Sequence, residues 1–257
     1  MSKIPVQAYM RKQCKESYSK KIISAGIKEI LKVAEQNLNM PIKDLVVLDV
    51  GAGRGDYTFG IEEYVKKVVG VEPDKFHFQQ AIKTKGQKHP KVKFYNTAIE
   101  DFKTKEKFDL VLSLTTVEHM PEVEKSFDRT FKMMKKGSVI YLTCPNKWWP
   151  IEGHHHLLFL AWLPLSLANK YVKFMKKAES YEDCAYSQSY FGMKNLFKKF
   201  SCKYEFVLPK DSNSSYIGCG EGGATYKIIK DIGIGLIRRF PIFWIISKGF
   251  IMVITKK

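Results

Sequence analysis

Val46-Val47-Leu48-Asp49-Val50-Gly51-Ala52-Gly53-Arg54-Gly55 is the stretch on which the fold of this 257-residue chain turns. Its first five residues, apolar apart from Asp49, suit a parallel strand buried on both faces. Glycines follow at alternate positions. Gly51 can leave the strand with a positive φ, Gly53 lets the main chain approach a ligand, and Gly55 lets a helix start close to the sheet. A plain tight strand-to-helix turn would use the same residues, so the loop alone leaves ligand binding open.

Its spacing narrows the choice. The dinucleotide fingerprint is G-x-G-x-x-G, whereas here the third glycine comes one residue early and Asp56 stands where the last glycine would be. Asp49 and Asp56 would both repel a pyrophosphate. A ligand with an ammonium group and no phosphate, such as S-adenosylmethionine, meets no such repulsion. Val68-Val69-Gly70-Val71-Glu72 reads as a second buried strand ending in an acid. Glu72 follows Gly51 at close to the roughly 20-residue spacing of a carboxylate that accepts from ribose hydroxyls. Loop and acid together imply a nucleoside; Glu72 alone would be a solvated charge at a strand end.

Asp49 to Gly55, Val68 to Asp74, and Phe108-Asp109-Leu110-Val111-Leu112-Ser113 with Val117-Glu118-His119-Met120 resemble the successive motifs of class I S-adenosylmethionine-dependent methyltransferases. V-E-H-M-P and the later K-K-G-S-V-I-Y-L-T-C-P-N are similar to the small-molecule branch that includes the ubiquinone-biosynthesis O-methyltransferases. The resemblance implies an α/β, Rossmann-like, doubly wound and mostly parallel seven-stranded sheet with an antiparallel last strand. It also implies S-adenosyl-L-methionine as cofactor, held by Asp49, Gly51, Ala52, Gly53 and Gly55, by Glu72 and Pro73 at the sugar, and by Thr97, Ala98 and Ile99 at the adenine. Ser113 and Thr115, at the end of the fourth strand, complete the set. Many relatives place an acid where this chain has Thr97. A leading helix in such proteins closes over the cofactor, which would bring Tyr18 or Lys21 near it.

Composition sets wider bounds. No linker or repeat interrupts the alternation of strand-like and helix-like segments, so the expectation is a single domain over 1–257, with a leading helix at 16–38 and a lid-like insertion at 147–188. Cys14, Cys144, Cys184, Cys202 and Cys219 are widely spaced and form no C-x-x-C pair, which argues for free thiols in a reducing compartment and not for a disulfide frame or a zinc site. The first residues lack the pattern of a secretory signal and no apolar run is long enough to span a bilayer, so a cytoplasmic protein is expected, with peripheral contact to an anionic membrane as a further option. The formal charge is +17, but only five of the 43 basic residues are arginines. Nucleic-acid recognition leans on the guanidinium, so lysine-rich solvated faces explain the charge better than a nucleic-acid partner. The excess sits at the ends: 8 basic against 3 acidic residues over 1–40, and 12 against 4 over 191–257.

Along the chain, Ile23, Ile27, Ile30, Leu31 and Ala34 recur at helical spacing. Tyr57 to Lys66 reads as the first crossover helix, Asp74 as the cap of the next, Val92 to Asn96 as strand three, and Pro121 to Gly137 as a helix. Ser138 to Thr143, Tyr204 to Leu208 and Phe250 to Thr255 read as strands. Tyr190 to Phe200 and Ala224 to Arg239 read as helices, with a glycine-rich loop at Ser212 to Gly223.

For chemistry, the end of strand four offers His119 as a general base and Glu118 to orient it; both could equally shape the turn. In the W-W-P-I-E-G-H-H-H run one of His154, His155 or His156, or Glu152, would lie near the acceptor, with His155 the leading candidate. Consecutive histidines point in different directions and no H-x-x-x-H spacing occurs, so no metal is expected. The leading function is methyl transfer to a small or lipid-like acceptor, at oxygen in preference to nitrogen or carbon. The alternatives are an RNA methyltransferase that uses the basic ends, and a non-catalytic adaptor that keeps the nucleoside pocket.

Overall fold

A computed structural model describes residues 20–209 and 224–257. Its strands are β1 (Val46–Val50), β2 (Lys67–Val71), β3 (Val92–Tyr95), β4 (Phe108–Leu114), β5 (Met134–Pro145), β6 (Cys202–Phe206) and β7 (Gly249–Lys256). Its helices are α1 (Lys20–Asn37), α2 (Asp56–Glu62), α3 (Lys75–Lys85), α4 (Val123–Met133), α5 (Leu165–Phe174), α6 (Tyr190–Lys198) and α7 (Ala224–Arg239). The strands form one seven-stranded sheet in the order β3-β2-β1-β4-β5-β7-β6. β1 to β5 run parallel, and β7 runs antiparallel to both β5 and β6, as expected from the sequence.

The central strands are apolar on both faces because helices cover both. Leu48, Val50 and Val111 pack with Phe127 and Phe131 of α4 and with Met193 and Phe197 of α6. Val47, Leu110 and Leu112 face the other way, onto Ile27, Ile30 and Ala34 of α1 and Tyr57 and Ile61 of α2. Glycines set how closely α1 and α2 approach. A Cβ on Gly60 would lie 2.4 Å from Ile27 Cδ1, and one on Gly26 would lie 2.7 Å from the Tyr57 hydroxyl. Strand order reverses between β1 and β4, so the loops that follow these strands diverge and open a crevice at their carboxyl ends.

Two boundaries differ from the sequence expectation. α2 stops at Glu62, since the amides of Lys66 and Lys67 turn back to the Leu45 carbonyl and lead the chain straight into β2. α4 stops at Met133, and the Lys135-Lys136-Gly137 run belongs to β5. Lys256 Nζ donates to the Phe131 and Met134 carbonyls at 2.6 and 2.9 Å, and so ends the helix from outside it. Asp109 accepts from the Val46 amide while pairing with Lys135 Nζ at 2.7 Å, which draws Lys135 onto the sheet. The Ser212 to Gly223 loop and Tyr18 lie outside the described residues.

Candidate cofactor and acceptor site

The glycine loop takes the form its residues require. Gly51, Gly53 and Gly55 have φ of 69°, 55° and 86°, the left-handed region that side chains disfavour. The amides of Gly51 and Ala52 both donate to the Val71 carbonyl, which pins the loop to the end of β2. At Gly51 a Cβ would strike the Thr116 methyl at 2.3 Å, whereas at Gly53 nothing lies within 4 Å. Space is therefore left where a ligand would meet the main chain.

Glu72, at the end of β2, accepts from the Gly53 amide through Oε2 and from the Asp74 amide through Oε1, each at 2.8 Å. Burial pushes its carboxyl up to about 7, against the pull of these two amides, and His119 lies near enough to lower it further. Glu72 follows the end of β2 and His119 follows the end of β4, both at the carboxyl edge of the sheet. Asn96, which sequence reasoning passed over, donates from Nδ2 to the Glu72 and Pro73 carbonyls at 2.9 and 3.1 Å and fixes that turn. Asp74 caps α3 by accepting from the His77 amide, as its residue type suggests.

The other candidates take separate positions. Asp49 is buried on the α2 side of the sheet and accepts from the Thr58 hydroxyl at 2.5 Å, so it anchors α2 beneath the loop. Burial raises its carboxyl to about 6, with the Thr58 bond opposing. Ser113 is buried with its hydroxyl unpartnered among the described residues, and it faces a small void shared with Phe127 and Thr130 of α4 instead of the mouth. Thr97, Ala98 and Ile99 form the turn after β3, where the Ala98 carbonyl accepts from the Asp101 amide and Ile99 is buried. Lys21 is exposed on α1. Thr115 has φ of 50°, strained for a β-branched residue, and its amide donates to the Thr143 carbonyl. Strain of this kind persists where surrounding structure enforces it, commonly at functional sites.

A one-turn helix, Val117–His119, carries the acceptor side. His119 Nδ1 lies 2.5 Å from the Asp183 carbonyl, which can only accept; Nδ1 is therefore the protonated nitrogen, and neutral His119 keeps a lone pair at Nε2. Glu118 is 0% exposed, and neither carboxylate oxygen has a hydrogen-bond partner among the described residues. Burial raises it to about 7, with the neighbouring His119 opposing. His154 joins them from the lid, its ring 5.1 Å from that of His119, and burial lowers it to about 4, so it is uncharged at neutral pH. Glu118, His119 and His154 each offer a donor atom within 4.8 Å of the others. His155, the lid histidine chosen from sequence, instead points into the lid towards Glu152. Nothing in the H-H-H run distinguishes the three; the fold of the loop does.

The 147–188 segment is anchored at both ends. Asn146 bridges Gln188, and the Lys147 amide donates to the Gln188 carbonyl. The Tyr186 amide donates to the Glu118 carbonyl, which ties the far end of the lid to the acceptor side.

The donor set fits an adenosine-based sulfonium: an open glycine edge, a buried acid with both oxygens fixed by amides, and, among the described residues, no cluster of basic side chains at the loop. A family model described as "Methyltransferase domain" matches residues 42–204. A ubiquinone biosynthesis O-methyltransferase of Bartonella quintana is 30% identical over 54% of this chain and 58% of its own length. One of Pelagibacter ubique is 26% identical over 54% of this chain and 59% of its own. The chain thus spans under two thirds of the length of these relatives. Among solved structures, the plantazolicin methyltransferase BpumL in complex with a pentazolic desmethylPZN analog and SAH has a TM-score of 0.59 at 15% identity, covering 96% of this chain and 88% of that one. The YcgJ protein of Bacillus subtilis has a TM-score of 0.54 at 15% identity, covering 90% and 98%.

Proposed function

Because this chain belongs to the methyltransferase-domain family, we propose that it transfers a methyl group from S-adenosylmethionine to an oxygen of a small, lipid-like acceptor. The observation that carries this is the shared mouth: the open Gly53 edge and Glu72 on one side, and His119 with an available Nε2 on the other. Gly51, Ala52 and Gly53 line the amino-acid end of the cofactor, Glu72 holds the ribose hydroxyls, and the turn at Thr97 to Ile99 borders the adenine. When bound, S-adenosylmethionine supplies an activated methyl whose bond to sulfur breaks as the acceptor oxygen bonds to it, leaving S-adenosylhomocysteine.

The protein then has two tasks, alignment of the acceptor and removal of one proton. His119 Nε2 takes the proton from the acceptor hydroxyl. Glu118 steadies the imidazolium that forms, since each group favours the charged form of the other. His154 stays neutral beside them and shields the site from water.

The relatives from Bartonella quintana and Pelagibacter ubique bear the name of ubiquinone biosynthesis O-methyltransferases, which favours a lipophilic acceptor. Exposed Leu158, Phe159 and Trp162 on the lid suit the same class. Peripheral contact with an anionic membrane, the natural source of such an acceptor, belongs to this proposal. Incubation with methyl-labelled cofactor and fractionated cell extract tests it. Label should enter organic-soluble material and fall at least tenfold with His119→Ala; label found in RNA, or in no fraction, overturns it.

A further inference from the structure

Inside the lid, Glu152, His155 and Cys184 bring a carboxylate, an imidazole and a thiol together, with one donor atom from each within 4.8 Å of the others. All three are buried, His155 to 1% and Cys184 to 0% exposure. We propose that this is a structural zinc site that holds the lid in shape, separate from the acceptor group around His119.

Geometry and packing carry the assignment. His155 Nδ1 lies 3.3 Å from Glu152 Oε2, long for a hydrogen bond to a carboxylate. It matches the ~3.3 Å edge between two ligands that each stand about 2.0 Å from one tetrahedral ion. The Glu152 carboxylate is held in place by the amides of His154 and His155, an outer set of bonds that fixes a ligand before the ion arrives. The Cys184 thiol donates to Asp183 Oδ1 at 3.5 Å, a bond that zinc would replace, which leaves a fourth position for water.

The lid also needs a staple. Its buried apolar core is small, Leu157, Leu160, Ala168, Val172, Tyr181 and Cys184 with Leu163, Tyr171, Ala178 and Ala185 packed against them, and its regular structure is α5 with two single 3₁₀ turns. Small units with so little core are commonly completed by a metal or a disulfide. Thiolate, imidazole and carboxylate together suit zinc better than calcium or magnesium, which prefer all-oxygen sites. On binding, Cys184 gives its thiol proton to solvent and bonds as the thiolate.

The test is metal content and cobalt substitution of the full chain. Purified protein should carry about one zinc per chain, and the cobalt form should show a thiolate-to-cobalt charge-transfer band. Cys184→Ala should abolish the band, and Cys144→Ala should keep it, although Cys144 is also buried. Glu152→Gln and His155→Ala should lower zinc at least tenfold. Chelation should reduce Tm by on the order of 5 °C. S-adenosylhomocysteine affinity, measured by calorimetry, should persist in these variants and report that the sheet is folded, so the outcome does not depend on methyl transfer. Zinc absent from the wild type, a band that survives Cys184→Ala, or one lost instead with Cys144→Ala or His119→Ala, overturns the site. If Cys184→Ala yields no folded protein, the zinc content of Glu152→Gln decides.

Discussion

At the scale of single residues, the glycine at 53 and the acids at 72 and 118 each make a separable prediction. Gly53→Val places a branched side chain in the open edge of the loop and in the left-handed region. Strain costs about 1 kcal/mol, while S-adenosylhomocysteine affinity should fall by about 100-fold or more in a calorimetric titration, a loss of about 3 kcal/mol; unchanged affinity would remove the loop from the site. Glu72→Gln replaces one acceptor oxygen by an NH₂ that must face either the Gly53 or the Asp74 amide. Two donors then meet, which should cost about 1–3 kcal/mol in urea unfolding as well as weaken the nucleoside. Glu118 gives a pH signature. Burial lifts it from 4.5 to about 7, so the folded state binds its proton more tightly than the unfolded state does. The penalty is absent below pH 4.5, grows as pH rises to about 7, and is complete above that. Glu118→Gln should therefore stabilise the protein above pH 7 by at most about 3 kcal/mol, with the gap closing towards pH 4.5. A gap independent of pH would mean that the buried carboxyl is not the cause. The same substitution should slow methyl transfer, since the His119 imidazolium loses its counter-charge.

Elements were legible in the sequence where one period ruled them and illegible where a distant residue did. β1, β2 and β4 are continuous apolar runs, and the amphipathic α1 shows its buried stripe directly, so both could be read from pattern. The end of α4 could not, because the group that stops it is Lys256, at the far end of the chain. The site divides in the same way. Gly51, Gly53 and Glu72 announce themselves by spacing, but the partnership of His119 with His154 depends on how an irregular lid folds back. Asp49 and Ser113 show the limit of motif reading: the motif gives their position on the strand, while strand alternation turns both side chains away from the mouth. Asn146 is the element-scale hinge of this arrangement. Its Nδ2 donates to the carbonyls of Ile245 and Ser247 at 2.9 Å and of Trp244 at 3.3 Å, joining the root of the lid to the turn before β7. Asn146→Ala removes the donor to the partly buried Ile245 and Ser247 carbonyls, while that of Trp244 keeps Ser247, and should cost about 2 kcal/mol. Denaturant unfolding should register that loss, and protease cleavage should increase within 147–188 before it does elsewhere. Uniform susceptibility would show that the lid does not depend on this anchor.

At the scale of the whole molecule, the remaining question is why so much apolar surface faces outward on a chain of charge +17. Along α7, Ile228, Ile232 and Leu236 recur every fourth residue and are exposed, and Phe240, Ile242 and Ile246 continue the surface into the following 3₁₀ turn. Asn146 ties that turn to the lid, which itself exposes Leu158, Phe159, Leu167 and, at 83%, Phe174. Exposed Arg238 and Arg239 border the apolar stripe, and lysines at 170, 173, 176 and 177 lie in the same sequence segment as the apolar lid residues. Among the described residues no helix is long and apolar enough to cross a bilayer. An amphipathic face edged by cations suits the surface of an anionic bilayer, where apolar side chains enter the headgroup region and basic ones meet phosphate. A stripe meant for a protein partner would not need the cations, and its binding would not track lipid charge. In flotation assays the protein should rise with phosphatidylglycerol vesicles at low salt, release as salt increases, and remain with the soluble fraction when only phosphatidylcholine is present. Ile232→Glu with Leu236→Glu should reduce flotation at least tenfold without altering S-adenosylhomocysteine affinity, because both residues lie far along the chain from the glycine loop and outside its contacts. Flotation that ignores both salt and this double substitution would leave the charge without a membrane role and return the lid's exposed residues to the acceptor alone.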